Sequence, residues 1–274
     1  MINPLQKIVN AYRQWKVCRD MPLRLEFVVT DYCNLNCKGC THYSALAPRE
    51  FEPLDRLEHS VAHLSQACGE EVAQAYLIGG ETLLYPQLAE AMRMLRRYFP
   101  SQKLYVFTNG IALPKMGDDF WNAARECGII IAITLYPIKF DYDAVMRLCA
   151  DKGVRTEVFG DRSDDNSFFK FGLDPAKKQN GRLAHFRCYQ RGCVSILGDK
   201  VYPCSISACI GHLNRAFGTG FKHEPGDWLN VESVGSAKDI YRLRDKPVPF
   251  CRYCTKAVEV KYGPSRREKS EWVI

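Results

Sequence analysis

Between residues 20 and about 158 the hydrophobic pattern switches repeatedly between two periods. Short runs rich in aliphatic, β-branched and aromatic residues predict strands over Arg24 to Val29, Ala75 to Ile78, Lys103 to Phe107, Ile129 to Leu135 and Val154 to Val158. Between them, apolar residues three and four apart predict helices over Leu54 to Ala67, Gln87 to Phe99, Lys115 to Cys127 and Asp141 to Asp151. Gly128 and Gly153 are placed to stop the last two. Strands and helices in alternation with short connections build a parallel sheet through right-handed crossovers. Ligands of such sheets bind beyond the carboxyl ends of the strands. The residues just after each strand are therefore where function is sought.

The ends of the chain have a different texture. Pro4 to Asp20 carries Leu5, Ile8, Val9, Tyr12 and Trp15 at roughly helical spacing, which predicts an amphipathic helix. No continuous apolar segment follows the start, so a signal peptide is not expected. Asp161 to Ser167 is polar, Phe168, Phe169 and Phe171 follow, and Asp174 to Arg182 is charged with Pro175 and Gly181. This predicts a connecting loop over 161–187. Beyond it, Cys193 to Leu197 and Lys200 to Tyr202 flank Gly198-Asp199 as a β-hairpin, and Ala237 to Arg244 is helix-like. The expected organisation is a helix over 1–20, an α/β core over 21–160, the connection over 161–187 and a small domain over 188–274.

Composition narrows the class. A chain of 274 residues with 46% hydrophobic and 25% charged residues has the make-up of a globular protein with a large core. No stretch is apolar for long enough to span a bilayer as a helix. The net charge of +7 is spread along the chain except at Lys177-Lys178 and Arg266-Arg267, and no basic-aromatic motif for nucleic acid is present. A solvated surface accounts for this charge, with an anionic small-molecule substrate as the alternative. Thirteen cysteines without an export signal favour metal ligation over a disulfide scaffold, and a reducing cytoplasm over an exported setting. Cys18, Cys68, Cys127 and Cys149 stand singly on helix-like stretches and read as core residues.

Three of the remaining cysteines, Cys33, Cys37 and Cys40, are packed into eight residues directly after the first strand. Asn34, Asn36 and Gly39 favour a loop that curls back, so the sulfurs can converge. Three thiolates suit zinc or an iron–sulfur cluster, not magnesium or calcium. A zinc site would need a fourth ligand, for which His42 is available. Three cysteines on a four-iron cluster instead leave one iron open to a ligand.

The spacing of Cys33, Cys37 and Cys40 resembles the signature of the radical S-adenosylmethionine (radical SAM) superfamily. The resemblance implies a [4Fe–4S] cluster on these three residues, its open iron chelated by S-adenosylmethionine, and a 5′-deoxyadenosyl radical that abstracts hydrogen from an unactivated carbon. It also implies a partial TIM barrel, open on one side, with the cluster at its mouth. Gly79-Gly80-Glu81-Thr82 is similar to the Gly-Gly-Glu-Pro element that holds the amino group of S-adenosylmethionine in that family, with Thr82 in place of proline. Thr108-Asn109-Gly110 resembles the family's Thr-Asn-Gly turn, placing Asn109 among the cofactor-binding residues. Thr134 and Tyr136 after the fourth strand alternate with Ile133 and Leu135 and are expected to line the cavity. Gly39 stands where the family usually has an aromatic residue, so contact with adenine there is through backbone.

A second constellation comprises Cys188, Cys193, Cys204, Cys209, Cys251 and Cys254. The pattern of Cys188, Cys204, Cys251 and Cys254 resembles the twitch form of the SPASM module, implying one auxiliary [4Fe–4S] cluster. Spacing alone leaves Cys193 or Cys209 as a substitute for one of the four, and leaves a four-cysteine zinc ribbon open. Cys209, if not a ligand, is a candidate hydrogen-atom donor in an epimerisation.

The function these features imply is that of a radical SAM oxidoreductase or epimerase acting on a small carbohydrate-like, possibly anionic, molecule. A flavodoxin or ferredoxin is the expected electron donor. With one helix before Leu25, a separate peptide-recognition domain is not expected there. The other classes are a radical SAM maturase of ribosomal peptides and a zinc-binding interaction protein.

Overall fold

The structure, a computed structural model, describes residues 20–160 and 167–274, together with Val9, Tyr12, Lys16 and Val17. The helix expected over Pro4 to Asp20 lies outside the described residues apart from those isolated positions, as do Cys18 and residues 161–166 of the connecting loop.

Five strands lie side by side in chain order and in parallel: β1 (Leu23–Thr30), β2 (Val72–Gly79), β3 (Lys103–Thr108), β4 (Ile129–Thr134) and β5 (Arg155–Phe159). Helices α1 (Leu54–Cys68), α2 (Leu88–Tyr98), α3 (Asp118–Glu126) and α4 (Tyr142–Asp151) form the crossovers. All the strands and helices predicted for this region are present; periodicity and burial agree through β4 and α4, while β5 at the sheet edge is largely exposed. Leu25, Phe27, Leu77, Leu104, Val106, Ile131 and Ile133 join Leu57, Val61, Leu64, Met92 and Leu95 of the helices in one core. The alternate strand residues Tyr76, Tyr105, Ile130 and Ala132 form a second cluster on the opposite, inner face.

After β5 the chain continues through β6 (Ser167–Lys170), α5 (Gly181–Phe186), β7 (Ser195–Leu197), β8 (Lys200–Tyr202), α6 (Ser205–Ala208), α7 (Ile210–Phe217), β9 (Leu229–Asn230), α8 (Ala237–Asp245) and β10 (Val258–Lys261). The sheet has eight strands in the order β5-β4-β3-β2-β1-β7-β8-β9 and is not closed. Strand β7 pairs in parallel with β1, Glu26 opposite Ser195 and Phe27 opposite Ile196, and β8 and β9 continue antiparallel. This is the α/β architecture of an open, partial barrel, with the predicted hairpin added at the β1 edge. Strands β6 and β10 form a separate antiparallel pair.

Candidate active site

The loop after β1 carries the three closely spaced cysteines, and Gly39 within it has φ +73°, a left-handed conformation that suits glycine. The carboxyl-terminal segment clamps this loop. The Lys38 N–H donates to the Gly263 carbonyl at 2.9 Å, the Ser265 N–H to the Asn36 carbonyl at 2.7 Å, and the Trp272 indole N–H to the Cys40 carbonyl at 3.2 Å. Each sulfur has a polar neighbour. Cys33 Sγ accepts the Leu35 N–H at 3.3 Å, Cys37 Sγ lies 3.8 Å from the Tyr262 hydroxyl, and Cys40 Sγ lies 3.6 Å from the Ser44 hydroxyl. Burial pushes the Cys33 and Cys37 thiols up to about 12, and the neighbouring cysteines add to the rise. Cys33 and Cys37 as thiolates would therefore call for a cation to hold them.

A cavity of about 410 Å³ opens over the carboxyl ends of β1 to β4, a size usual for a small-molecule site. Cys33, Cys37 and Cys40 line it together with Gly79, Gly80, Asn109, Thr134 and Tyr136, so residues read from four separate strand ends face one space. Gly79 and Gly80 press so closely on the end of β1 that an added Cβ would fall 1.8 Å from the Thr30 carbonyl oxygen and 2.3 Å from that of Asp31. Only glycine fits there. Glu81 and Thr82 are buried and do not line the cavity. The Glu81 carboxylate instead accepts the Thr108 hydroxyl at 2.6 Å and the Leu83 and Asn109 N–H groups at 3.0 and 2.8 Å. The Asn109 amide donates to Asn34 Oδ1 at 2.7 Å, which ties the end of β3 to the cysteine loop.

The far wall is built by the later part of the chain. Phe169 and Tyr189 stack with ring centroids 4.4 Å apart, and both line the cavity with Phe171, Gln190, Cys193 and Ser205. Glu26, on the inner face of β1, completes this wall. Burial raises the Glu26 carboxyl above its ordinary range, against smaller lowering effects from Cys193, His42, Arg24 and Ser195. Among the described residues no lysine or arginine lines the cavity.

The second constellation is also assembled. Cys188 follows α5, Cys204 ends the hairpin, and Cys251 and Cys254 sit in and just after the turn Pro249–Tyr253. Burial pushes Cys251 up to about 12, with Cys188 adding to the rise. Cys204 and Cys254 are raised further by burial and by the other members of the four. Asp227 holds the turn by accepting the Phe250 N–H at 2.6 Å.

Cys193 and Cys209 each lie within electrostatic reach of Cys204 but have their main polar partners on and just after β1. Cys193 is half-buried and meets Glu26 on the cavity wall. Cys209 does not line the main cavity; its thiol faces Asp31 Oδ1 at 3.4 Å. Asp31 also accepts from His42 Nδ1 at 3.0 Å and from His212 Nε2 at 2.8 Å. Burial alone would raise the Asp31 carboxyl, but these two imidazoles hold it far below the usual carboxylate range. Sequence reasoning passed over Asp31 and His212, whose positions lie 181 residues apart. The single signal available was His42 beside the cysteine run.

An open parallel sheet, a three-cysteine loop after its first strand and a cavity at the strand ends together make an α/β strand-end site. Residues 27–156 match the family model described as the radical SAM superfamily. GTP 3′,8-cyclase of Helicobacter pylori is 35% identical over 95 residues, 35% of this chain and 30% of that protein. The same enzyme of Moorella thermoacetica is 29% identical over 118 residues, 43% of this chain and 36% of that protein. The matches thus span about a third of the length of these curated relatives. Among solved structures, BtrN in complex with AdoMet and 2-DOIA is similar in fold, with a TM-score of 0.51 and 18% identity over 86% of this chain and 94% of that one. No helix among the described residues is long and apolar enough to cross a membrane.

Proposed function

We propose that the protein is a radical SAM enzyme that removes a hydrogen atom from a neutral or amine-bearing polyhydroxylated small molecule. The observation that carries this reading is the cavity in which the three-cysteine loop and strand-end glycines face an aromatic and hydroxyl-rich wall that, among the described residues, has no lysine or arginine. Phosphorylated and nucleotide substrates are most strongly held where cationic side chains meet the phosphate. This wall instead offers Glu26, Gln190 and Ser205 for hydroxyl or amino groups, and the Phe169–Tyr189 stack for an apolar ring face. The described wall residues thus favour hydroxyl and amino groups as the ones to be recognised.

The residues present fit the implied cofactors. Cys33, Cys37 and Cys40 would hold the iron–sulfur cluster, and Gly79 and Gly80, packed against the end of β1 where no Cβ would fit, keep the end of β2 on the cavity beside them. When bound, the cluster and S-adenosylmethionine supply a 5′-deoxyadenosyl radical. The protein's part is placement. Glu81 fixes the ends of β2 and β3 relative to each other, Asn109 fixes β3 to the cysteine loop, and Thr134 and Tyr136 close the cavity on the β4 side. Cys188, Cys204, Cys251 and Cys254 would hold an auxiliary four-iron cluster, which supports an oxidation in which the substrate gives up a second electron. No three of these sulfurs, where they stand, come within 4.8 Å of one another, whereas a tetrahedral zinc would set them about 3.8 Å apart. A flavodoxin or ferredoxin is the class of donor such clusters require.

Cys193 favours a second reading, epimerisation, because its thiol, unlike that of Cys209, is on the cavity wall. There it would return a hydrogen atom to the substrate carbon and be restored by one electron and one proton from the donor.

The test is iron content with EPR on anaerobically reconstituted protein, with and without S-adenosylmethionine, followed by 5′-deoxyadenosine formation with candidate substrates. About eight irons per chain are expected, falling to about four when Cys33, Cys37 and Cys40 are replaced by alanine. Aminocyclitols or sugars should stimulate 5′-deoxyadenosine formation and GTP should not. Stimulation by GTP alone would refute the substrate class. Deuterium from solvent in the product would select epimerisation over oxidation.

A further inference from the structure

We infer that Asp31, His42 and Cys209 form a binding site for a divalent transition metal ion, zinc being the ion their chemistry fits. Oδ1 of Asp31, Nδ1 of His42 and Sγ of Cys209 are separated pairwise by 3.0, 3.4 and 3.6 Å. Among the described residues, no other set of three metal-ligating side chains has its donor atoms all within 4.8 Å. A tetrahedral zinc, with bonds of about 2.0 Å to nitrogen and oxygen and about 2.3 Å to sulfur, sets its ligands roughly 3.3–3.6 Å apart.

Each separation is also a hydrogen-bond length, so no single pair points to a cation. The closed triangle does. A thiol and an imidazole that both donate to one carboxylate oxygen gain nothing by meeting each other, yet here sulfur and nitrogen are 3.6 Å apart. A shared cation gives all three contacts one cause. Charge agrees with this: a carboxylate and a thiolate neutralise a dication, so the buried group carries no net charge once filled.

The surroundings meet the remaining requirements of a metal site. His212 donates Nε2–H to the other oxygen of Asp31 at 2.8 Å, the kind of outer hydrogen bond that orients a ligating carboxylate. A route inward exists, because Asp31, Cys209, His212 and Arg215 line a second cavity of about 270 Å³. His42 lines the main cavity instead, so the ion lies in the wall between the two spaces. It would join the end of β1, the cysteine loop and the junction of α6 and α7. None of its ligands belongs to either proposed cluster, so the site stands independently of the proposed reaction.

The test uses the full chain, reconstituted anaerobically with iron and sulfide so that the cluster cysteines are filled, then equilibrated with chelator-buffered zinc chloride. Elemental analysis should give one zinc per chain for the wild type and less than about a tenth of that for Cys209→Ala and His42→Gln, with iron unchanged. X-ray absorption at the zinc edge of the wild type should show one sulfur at about 2.3 Å with nitrogen and oxygen ligands at about 2.0 Å. A shell of sulfur alone, retention of zinc by both variants, or no zinc in the wild type would overturn the assignment. The spectrum is read on the wild type, so a variant that fails to fold leaves the test intact.

Discussion

At the Glu81 carboxylate three separate pieces of the site are joined: the Leu83 N–H at 3.0 Å, the Thr108 hydroxyl at 2.6 Å and the Asn109 N–H at 2.8 Å. Replacing Glu81 by alanine leaves these buried donors without an acceptor, each at a cost of about 1–3 kcal/mol before relaxation. Glu81→Ala should therefore lose roughly 3 kcal/mol in denaturant melts, and should weaken S-adenosylmethionine binding measured by calorimetry. Unchanged affinity would show that the strand ends hold their places without it. Glu26 behaves differently, because burial raises its carboxyl above the ordinary value of 4.5. Below that pH both folded and unfolded chains are protonated and burial of the acid costs nothing. As pH climbs, the unfolded chain ionises first and stability falls until the folded carboxyl titrates. Glu26→Gln is expected to raise the melting temperature by about 2–4 °C at pH 7.5 and not at pH 4. A gain at both values would assign the effect to packing. Cys193 and Cys209 mark the limit of reading at this scale. Spacing could not show what they meet, because their neighbours, Glu26 and Asp31, lie on β1 and at its end, far away in sequence.

Secondary structure elements from β1 to β5 were legible because each strand and helix expresses its own burial pattern locally. The same holds for the Gly198-Asp199 hairpin and for α8, where Ser236 and Asp239 form a reciprocal cap. Pairing partners were not legible, since a strand of three residues such as β7 carries no mark of its neighbour. Nor was the carboxyl-terminal clamp, made by backbone groups of residues 263 and 265 and the Trp272 indole. That clamp has a measurable consequence. Ending the chain after Lys261 removes the hydrogen bonds to Asn36, Lys38 and Cys40, so iron retained after desalting should fall by about four per chain, with the auxiliary cluster left in place. Loss of all iron would mean instead that the tail supports both cysteine groups. On the other side of the molecule, Asp227→Ala removes the acceptor of the Phe250 N–H and of the Glu224 N–H at 2.6 Å each. About 2 kcal/mol of stability should go with it, and the iron lost first should be that of the second group.

On the scale of the whole molecule, the two cysteine groups share one sheet through the pairing of β1 with β7. Glu26 on β1 faces Ser195 across that pairing and also meets Cys193, so the wall of the main cavity is made by both halves of the chain. Glu26→Ala is thus expected to disturb the site from both sides.

The same pairing imposes an order in time. Strand β1 finds its neighbour β2 soon after emerging from the ribosome, but its other edge waits for β7. Glu26 and its partner Ser195 are 169 positions apart, an interval of about ten to thirty seconds at usual rates of synthesis. For that interval an apolar strand presents unpaired backbone groups, the situation that favours association between nascent chains. The protein should therefore depend more on holding chaperones and slow expression than its well-packed core would lead one to expect.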